Sequence, residues 1–230
     1  MRVSGISPPH PSTESPLMNA IRAAGFTLIE LLIVVSIIGL LAAAFLPDLL
    51  SSKASANVAA DGANLSQQYK WLETYKQKLK RYPSAGGHKF LLDLWVRKVV
   101  DHTQENFDRF WTPGLREQDP RYAELRPLVQ RQEVIWEDLD SLTSEDTHYA
   151  ARAREHLLGM NKANEVWVAT DNEIDWNFTD GTINMLVAGG SVRSLSLQEL
   201  EDLYQWPGME EVFRTYGDES PHPGLRKLDL

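Results

Sequence analysis

The sequence predicts an α+β fold, in which one long amino-terminal helix packs on a small, mainly antiparallel sheet. Residues 26–46 form an apolar run whose one charged residue is Glu30. Beyond this run, apolar side chains recur at steps of three and four up to Tyr82, which is the spacing of an amphipathic helix. Segments rich in β-prone residues come late, at 165–170, 182–187 and 191–195. Helix first and strands last is the order expected of this fold class.

Composition restricts the classes of protein to which the chain can belong. Its 230 residues are 43% hydrophobic, which is enough for one domain with a real core, and the formal net charge is -9. Binding to phosphates requires clustered Lys and Arg, so nucleic acid is not an expected partner. Cysteine is absent, which excludes disulfides, thiolate zinc sites and cysteine nucleophiles.

The apolar run is long enough to cross a membrane, since about 20 apolar residues span the hydrocarbon core as a helix. A conventional signal peptide has an apolar core of about 7–15 residues with small residues at a cleavage site after it. Here the small residues Ala23, Ala24 and Gly25 come before the run. This order predicts that the chain is cut on the amino-terminal side of the apolar run. The alternatives are a conventional cleaved signal peptide and an uncleaved membrane anchor.

The sequence GFTLIE at residues 25–30 resembles the processing site of type IV pilins and type II secretion pseudopilins. This resemblance implies that a prepilin peptidase cuts between Gly25 and Phe26 and that the new amino terminus of Phe26 is methylated. Arg22 supplies the positive charge that keeps a leader cytoplasmic. A leader of residues 1–25 is long for the family, whereas a start at Met18 would give a short basic leader of the usual kind, and we expect Met18 to be the true start.

The resemblance also assigns roles inside the helix. Glu30 is the fifth residue of the implied mature chain, where it can pair with the Phe26 ammonium of a neighbouring subunit and so fix the assembly register, because other registers leave a charge unpaired. The alternative is a glutamate favoured by the helix dipole. Gly39 and Pro47 mark where the helix would bend, with a packing glycine and a membrane-edge proline as the alternative.

The predicted organisation has four parts. Residues 1–25 form the leader, 26–47 the transmembrane and assembly helix, 48–82 its amphipathic continuation, and 83–230 a globular head with a helical insertion at about 101–160. Within the head we expect a helix over 90–100, another near 144–158, and a hairpin turning at Gly189 and Gly190. Ser196 and Glu199 form a capping-box pattern, and the tail from Gly217 reads as a loop.

Metal and catalytic patterns are weak. Asp171, Asp175 and Asp180 offer oxygen ligands at a density that could hold calcium, with a solvated acidic turn as the alternative. The six histidines form no metal-binding or catalytic motif, so neither another cofactor nor an enzymatic activity is expected.

The sequence therefore predicts a structural subunit of a type IV pilus or a type II secretion pseudopilus. Its expected partners are prepilin peptidase, other pilin or pseudopilin subunits and the inner membrane, with the head in the periplasm. The absence of cysteines favours a pseudopilin, because many type IV pilins have a carboxy-terminal disulfide loop. The alternative is a membrane-anchored periplasmic binding module that does not polymerise, which would show a large pocket within residues 101–160.

Overall fold

The computed structural model describes residues 27–170, 182–196, 198–199, 202, 216–218, 220 and 222–229. The chain divides into two units, Met1–Pro47 and Asp48–Leu230. Helix α1 covers Leu28–Leu79 and therefore continues from the first unit into the second. Two predicted sites lie outside the described residues: the cleavage site at Gly25 and Phe26, and the calcium candidates Asp171, Asp175 and Asp180.

In the first unit, the described part of α1 is apolar and exposed along its whole length. Among the helices that the structure describes, α1 is the one that is long and apolar enough to cross a membrane, and none of its most apolar stretch is buried. A helix that is apolar on all sides has no polar face to present to water, so this segment requires a covering that the isolated chain does not provide.

In the second unit, one face of α1 packs into the head. Its buried residues are separated by steps of three and four, and they are Asp61, Asn64, Leu65, Gln68, Trp71, Leu72 and Tyr75. The helix ends where Lys80 adopts a left-handed conformation with φ of 59°, three residues before Pro83. The predicted end at Tyr82 is thus late by three residues, and Leu79, predicted on the apolar stripe, is 41% exposed.

The sheet has five strands in the order β4-β3-β2-β1-β5, and every neighbouring pair is antiparallel. The strands are β1 Tyr149–Arg152, β2 Val166–Thr170, β3 Ile183–Val187, β4 Val192–Leu195 and β5 Leu228–Asp229. The predicted hairpin is confirmed by the pairing of β3 with β4, and its turn contains Gly189 and Gly190 at φ of 91° and 87°. Those dihedrals favour glycine, which has no Cβ to clash.

Within the described part of the head, three further helices have defined bounds: α2 His88–Val96, α3 Gln104–Asp108 and α4 Pro120–Gln130. Each of the last two begins with a capping side chain, since Thr103 accepts from the Asn106 N–H and Asp119 from the Tyr122 N–H. Short 3-10 turns occupy Arg116–Gln118, Leu139–Ser141, Ser144–Asp146, Arg154–His156 and Leu225–Lys227. The helix predicted over 90–100 corresponds to α2.

The core between the helices is strongly aromatic. Trp95 lies at its centre, with its ring stacked on His102 at 4.2 Å and edge-on to Phe107, Phe110 and Trp136. Aromatic pairs in these arrangements add to the stability gained by burying the rings. The head therefore has a substantial core although it has no disulfide.

Two predictions about the head are wrong. The helix expected near 144–158 is a 3-10 turn followed by β1, which lies between β2 and β5 inside the sheet. The segment YAAR has little intrinsic strand preference, and pairing on both sides overrides it. The tail from Gly217 is also not only a loop, because it supplies β5, which pairs with β1 at Ala151 and Arg152.

Candidate assembly segment and its attachment to the head

Glu30 and Thr27 form a capping box at the start of α1. The Glu30 carboxylate accepts hydrogen bonds from the Thr27 backbone N–H at 2.9 Å and from the Thr27 hydroxyl at 2.7 Å. In return, the Thr27 hydroxyl accepts from the Glu30 N–H at 3.2 Å. This exchange satisfies two backbone donors that a helix start leaves without partners. In the isolated chain, Glu30 therefore caps the start of α1. From the sequence, only a favourable interaction with the helix dipole was predicted as its local role.

The helix is continuous through Gly39 and Pro47. A Cβ built on Gly39 would meet nothing within 4 Å, so nothing in the isolated chain requires glycine at this position. Pro47 has no N–H and removes one hydrogen bond from the helix, which weakens the helix locally without ending it. Bending at either residue stays a prediction.

A buried polar cluster attaches α1 to the sheet. We call it the Asp61 cluster, and it consists of Asp61, Asn64, Tyr149, Thr170 and Asn184. The Asp61 carboxylate is fully buried and accepts hydrogen bonds from the Tyr149 hydroxyl at 2.6 Å, the Thr170 hydroxyl at 2.6 Å and the Asn184 amide at 2.8 Å. Because these three residues belong to β1, β2 and β3, one carboxylate joins the helix to three strands.

Burial raises the pKa of the Asp61 carboxyl, and the hydrogen bonds from Thr170, Tyr149 and Asn184 oppose this rise only in part. Burial also raises the pKa of the Tyr149 hydroxyl well above its usual value, and the adjacent Asp61 carboxyl adds to that rise. The hydroxyl is therefore protonated and able to donate at any physiological pH.

Further contacts extend this attachment along the helix. The Asn184 side-chain NH2 also donates to the backbone carbonyl of Val58 at 2.9 Å, and the Asn184 side-chain oxygen accepts from the Ser194 hydroxyl at 2.6 Å. Gln68 donates to the carbonyl of Arg109 at 2.8 Å. Since these bonds are specific in direction, they fix the rotation of α1 about its axis, which apolar packing alone defines less sharply.

The sequence reading missed the Asp61 cluster, although a signal for it is present. Asp61 precedes Leu65 by four residues, about one turn of helix, and lies on the same face of α1 as Leu72 and Tyr75. This is the face that the apolar stripe buries. A charged residue in such a position needs buried partners. Its donors come from strands about a hundred residues later, and the sequence does not indicate which strand residues reach it.

A histidine–carboxylate pair in the head has the distances of a catalytic dyad but not its chemistry. His148 Nε2 lies 2.8 Å from an Asp119 carboxylate oxygen, and His148 Nδ1 accepts from the backbone N–H of Thr112 at 3.3 Å. Both ring nitrogens are therefore occupied, leaving no lone pair for a substrate proton. Burial alone would raise the pKa of Asp119, but the hydrogen bonds from His148 and the Tyr122 N–H outweigh it and lower the pKa.

A buried ion-pair group fastens the carboxy-terminal segment. Arg152 on β1 is 2% exposed and lies 2.8 Å from the Glu165 carboxylate, which also accepts from the Lys227 ammonium at 2.7 Å. Burial alone would raise the pKa of Glu165, but the hydrogen bonds from Lys227 and Arg152 outweigh this effect, so the pKa lies below its usual value. Over the part of the chain that the structure describes, no group of three His, Asp or Glu side chains could hold a metal ion.

Comparison with known proteins supports the reading of the amino-terminal segment. The family model of the prokaryotic N-terminal methylation motif matches residues 21–46. The type IV wide pilus major component PilA4 of Thermus thermophilus is 45% identical over 63 residues, which are 27% of this chain and 48% of that protein. The chain thus spans about half the length of this relative. No solved structure matches the chain. The resemblance to the type IV pilin family predicted from residues 25–30 is confirmed: the chain carries the N-terminal methylation motif of that family and is similar to one of its pilus components.

Proposed function

We propose that the chain is a structural subunit of a type IV pilus or a type II secretion pseudopilus. The observation that carries this proposal is the methylation motif at residues 21–46, which coincides with the start of a helix whose most apolar stretch is wholly exposed. An apolar helix of this kind is stable in a membrane or in a bundle of like helices, and it is not stable alone in water.

In this proposal, a prepilin peptidase removes the leader after Gly25, and the amino group of Phe26 is methylated. The helix holds the subunit in the inner membrane with the head in the periplasm, and it then leaves the membrane for the filament core. Contacts between unlike surfaces of successive copies give an open filament. Gly39 and Pro47 let the helix adapt to that core, and Asp171, Asp175 and Asp180 would supply oxygen ligands to calcium.

Glu30 sets the register of assembly in this mechanism. While the subunit is in the membrane, the capping box with Thr27 gives the carboxylate two donors and lowers the cost of placing it among lipids. In the filament, the carboxylate faces the Phe26 ammonium of a neighbour, and any other stagger leaves both charges unpaired in an apolar core. The capping box and the intersubunit pair together explain a charge within an otherwise apolar run.

Replacing Glu30 by Gln separates these two roles. Gln at this position preserves the capping box but has no charge, so the variant should be processed and inserted like the wild type. We expect it to lose filaments, measured as sheared filament yield by electron microscopy and immunoblotting. Thr27→Ser is the matched control, because it keeps both the cap and the charge. Wild-type filament yield from Glu30→Gln would contradict the register role.

A non-polymerising binding module is the second candidate. The described part of residues 101–160 forms an open groove of about 350 Å³, lined among others by Val134, Trp136 and Leu142. This volume is near the lower end for small-molecule sites, which are about 300–1,000 Å³. Such a module would keep its ligand binding and show no filaments even in the wild type, so the same filament assay distinguishes the two functions.

A further inference from the structure

Two large hydrophobic side chains outside α1 are exposed within the described part of the chain. They are Leu158, 93% exposed, and Val134, 68% exposed. Each of them lines a groove on the head. Single exposed hydrophobics are common, but the charges around these two differ in sign, and this difference indicates what could cover them.

The first groove, which we call the basic groove, has a volume of about 290 Å³ and lies between residues 81–84 and 157–161. Its lining includes Arg81, Tyr82, Leu157, Leu158 and Met160. The apolar part of this lining consists of Leu158 with Pro83, Leu157 and Met160. The groove therefore combines an apolar surface with a cation at its edge.

Further basic residues lie next to the lining of the basic groove along the chain. Lys80 precedes Arg81 and is exposed; the backbone of Arg154 lies against Gly86; and the Lys162 side chain lies 3.6 Å from a Cβ built on Gly159. The acidic residues of this region are Glu155 and Glu73, and the Glu73 carboxylate accepts from the Tyr82 hydroxyl, to which the Lys76 ammonium also donates. None of Lys80, Arg81, Arg154 and Lys162 forms an ion pair with another residue that the structure describes, so their charges are available to an external partner.

The second groove, the acidic groove, is the one of about 350 Å³ that contains Val134, Ile135, Trp136, Glu137 and Asp138. No Lys or Arg occurs between residues 132 and 147. Glu137 is exposed, and neither it nor Asp138 forms an ion pair with a described residue. Arg121 also lines this groove, but the carboxylates of Asp146 and Glu124 hold it at 2.8 and 2.9 Å and offset its charge.

We propose that the basic groove of one copy of this chain binds the acidic groove of the next copy. Leu158 would pack against Val134 of the next copy, with Arg81 opposite Glu137. The two surfaces differ from each other, so the contact is heterologous and can repeat along an open assembly. Opposite charges around an apolar centre select this register over contacts between like grooves, which would bring like charges together. This inference rests on the proposed filament function and deepens it by naming a contact between heads.

The test is a charge swap in the full-length chain. Arg81→Glu alone and Glu137→Lys alone should each reduce filament yield about tenfold or more, because each places like charges at the contact. The chain carrying both changes should recover most of the yield, since the opposite charges then face each other again. Lys98→Glu, which reverses an exposed cation outside both grooves, is the matched control and should leave the yield unchanged.

Two results would overturn the proposal. Wild-type yield from either single variant would show that the grooves do not meet. Loss in both single variants without recovery in the double variant would show that the grooves bind some other partner rather than a second copy. Unfolding midpoints equal to that of the wild type confirm that the variants are folded. If the wild type itself makes no filaments, the proposed function fails; if wild-type filaments form but ignore these charges, the head contact alone fails.

Discussion

Replacing Asp61 by Ala tests whether the buried carboxylate attaches α1 to the sheet. The substitution removes an acceptor from the Tyr149 hydroxyl, the Thr170 hydroxyl and the Asn184 amide. Thr170 and Asn184 each keep another acceptor, the backbone carbonyls of Asn184 and Val58, whereas the Tyr149 hydroxyl keeps no acceptor among the residues that the structure describes. An unsatisfied buried group costs about 1–3 kcal/mol, and the two weakened donors add to it, so we expect a loss of about 2–4 kcal/mol in the free energy of unfolding.

The assay is urea unfolding of the full chain in non-ionic detergent, followed by tryptophan fluorescence. Every tryptophan follows residue 70, so the signal reports on the head. Asp101→Ala is the matched control, because it removes an exposed carboxylate. A loss below about 0.5 kcal/mol for Asp61→Ala, which is the usual range of surface substitutions, would refute the role of this carboxylate.

The same position predicts a pH dependence. The folded-state pKa of Asp61 is raised, so its protonation stabilises the folded chain below the unfolded pKa of about 3.9, and this contribution is lost as pH rises through the folded pKa. Asp61→Asn cannot titrate and lacks this dependence. The stability of the wild type relative to Asp61→Asn should therefore decrease with rising pH over that window. A constant difference between the two chains would contradict the raised pKa.

Two further substitutions test the head. Gly190→Ala should lower the free energy of unfolding by about 2–4 kcal/mol, because the new Cβ would lie 2.5 Å from the Tyr69 ring at a positive φ. Gly189→Ala has nothing within 4 Å of the new Cβ, so it should cost only the backbone strain of about 1–2 kcal/mol. Equal losses for the two variants in thermal unfolding would contradict the contact with Tyr69. The folded pKa of Asp119 is lowered, so its pairing with His148 stabilises the head above the unfolded pKa and is lost as pH falls through the folded value. In Asp119→Asn, the urea unfolding midpoint should therefore fall less steeply with decreasing pH than it does in the wild type. The same decrease in both chains would exclude a contribution from the pair.

Patterns carried by neighbouring residues predicted the fold well. The apolar run and the stripe after it predicted α1, and the glycine turn predicted the β3–β4 hairpin. The capping box at Ser196 and Glu199 is confirmed by reciprocal hydrogen bonds, with the Ser196 N–H donating at 2.8 Å and the Glu199 N–H at 3.2 Å. In each case the interacting residues are close in sequence, so the signal does not depend on tertiary contacts.

What the sequence did not predict depends on distant residues. Strand β1 forms because β2 and β5 pair with it on both sides, although Ala150 and Ala151 have no strand preference of their own. The two-residue strand β5 is likewise defined by its pairing partner. The donors to Asp61 come from three strands, and only the folded sheet brings them together. The methylation motif was therefore recognisable from the local sequence at residues 25–30, whereas the residues by which the head holds the helix were not.

The mass and amino-terminal sequence of the mature protein, taken from its native membrane, test the central claim most directly. Processing at the motif matched over residues 21–46 predicts a chain that begins with N-methylated Phe26. A mature chain that begins at Met1 or Met18 would mean that the apolar helix is an uncleaved anchor. In that case the amino group that pairs with Glu30 would not exist, and the assembly mechanism would be contradicted.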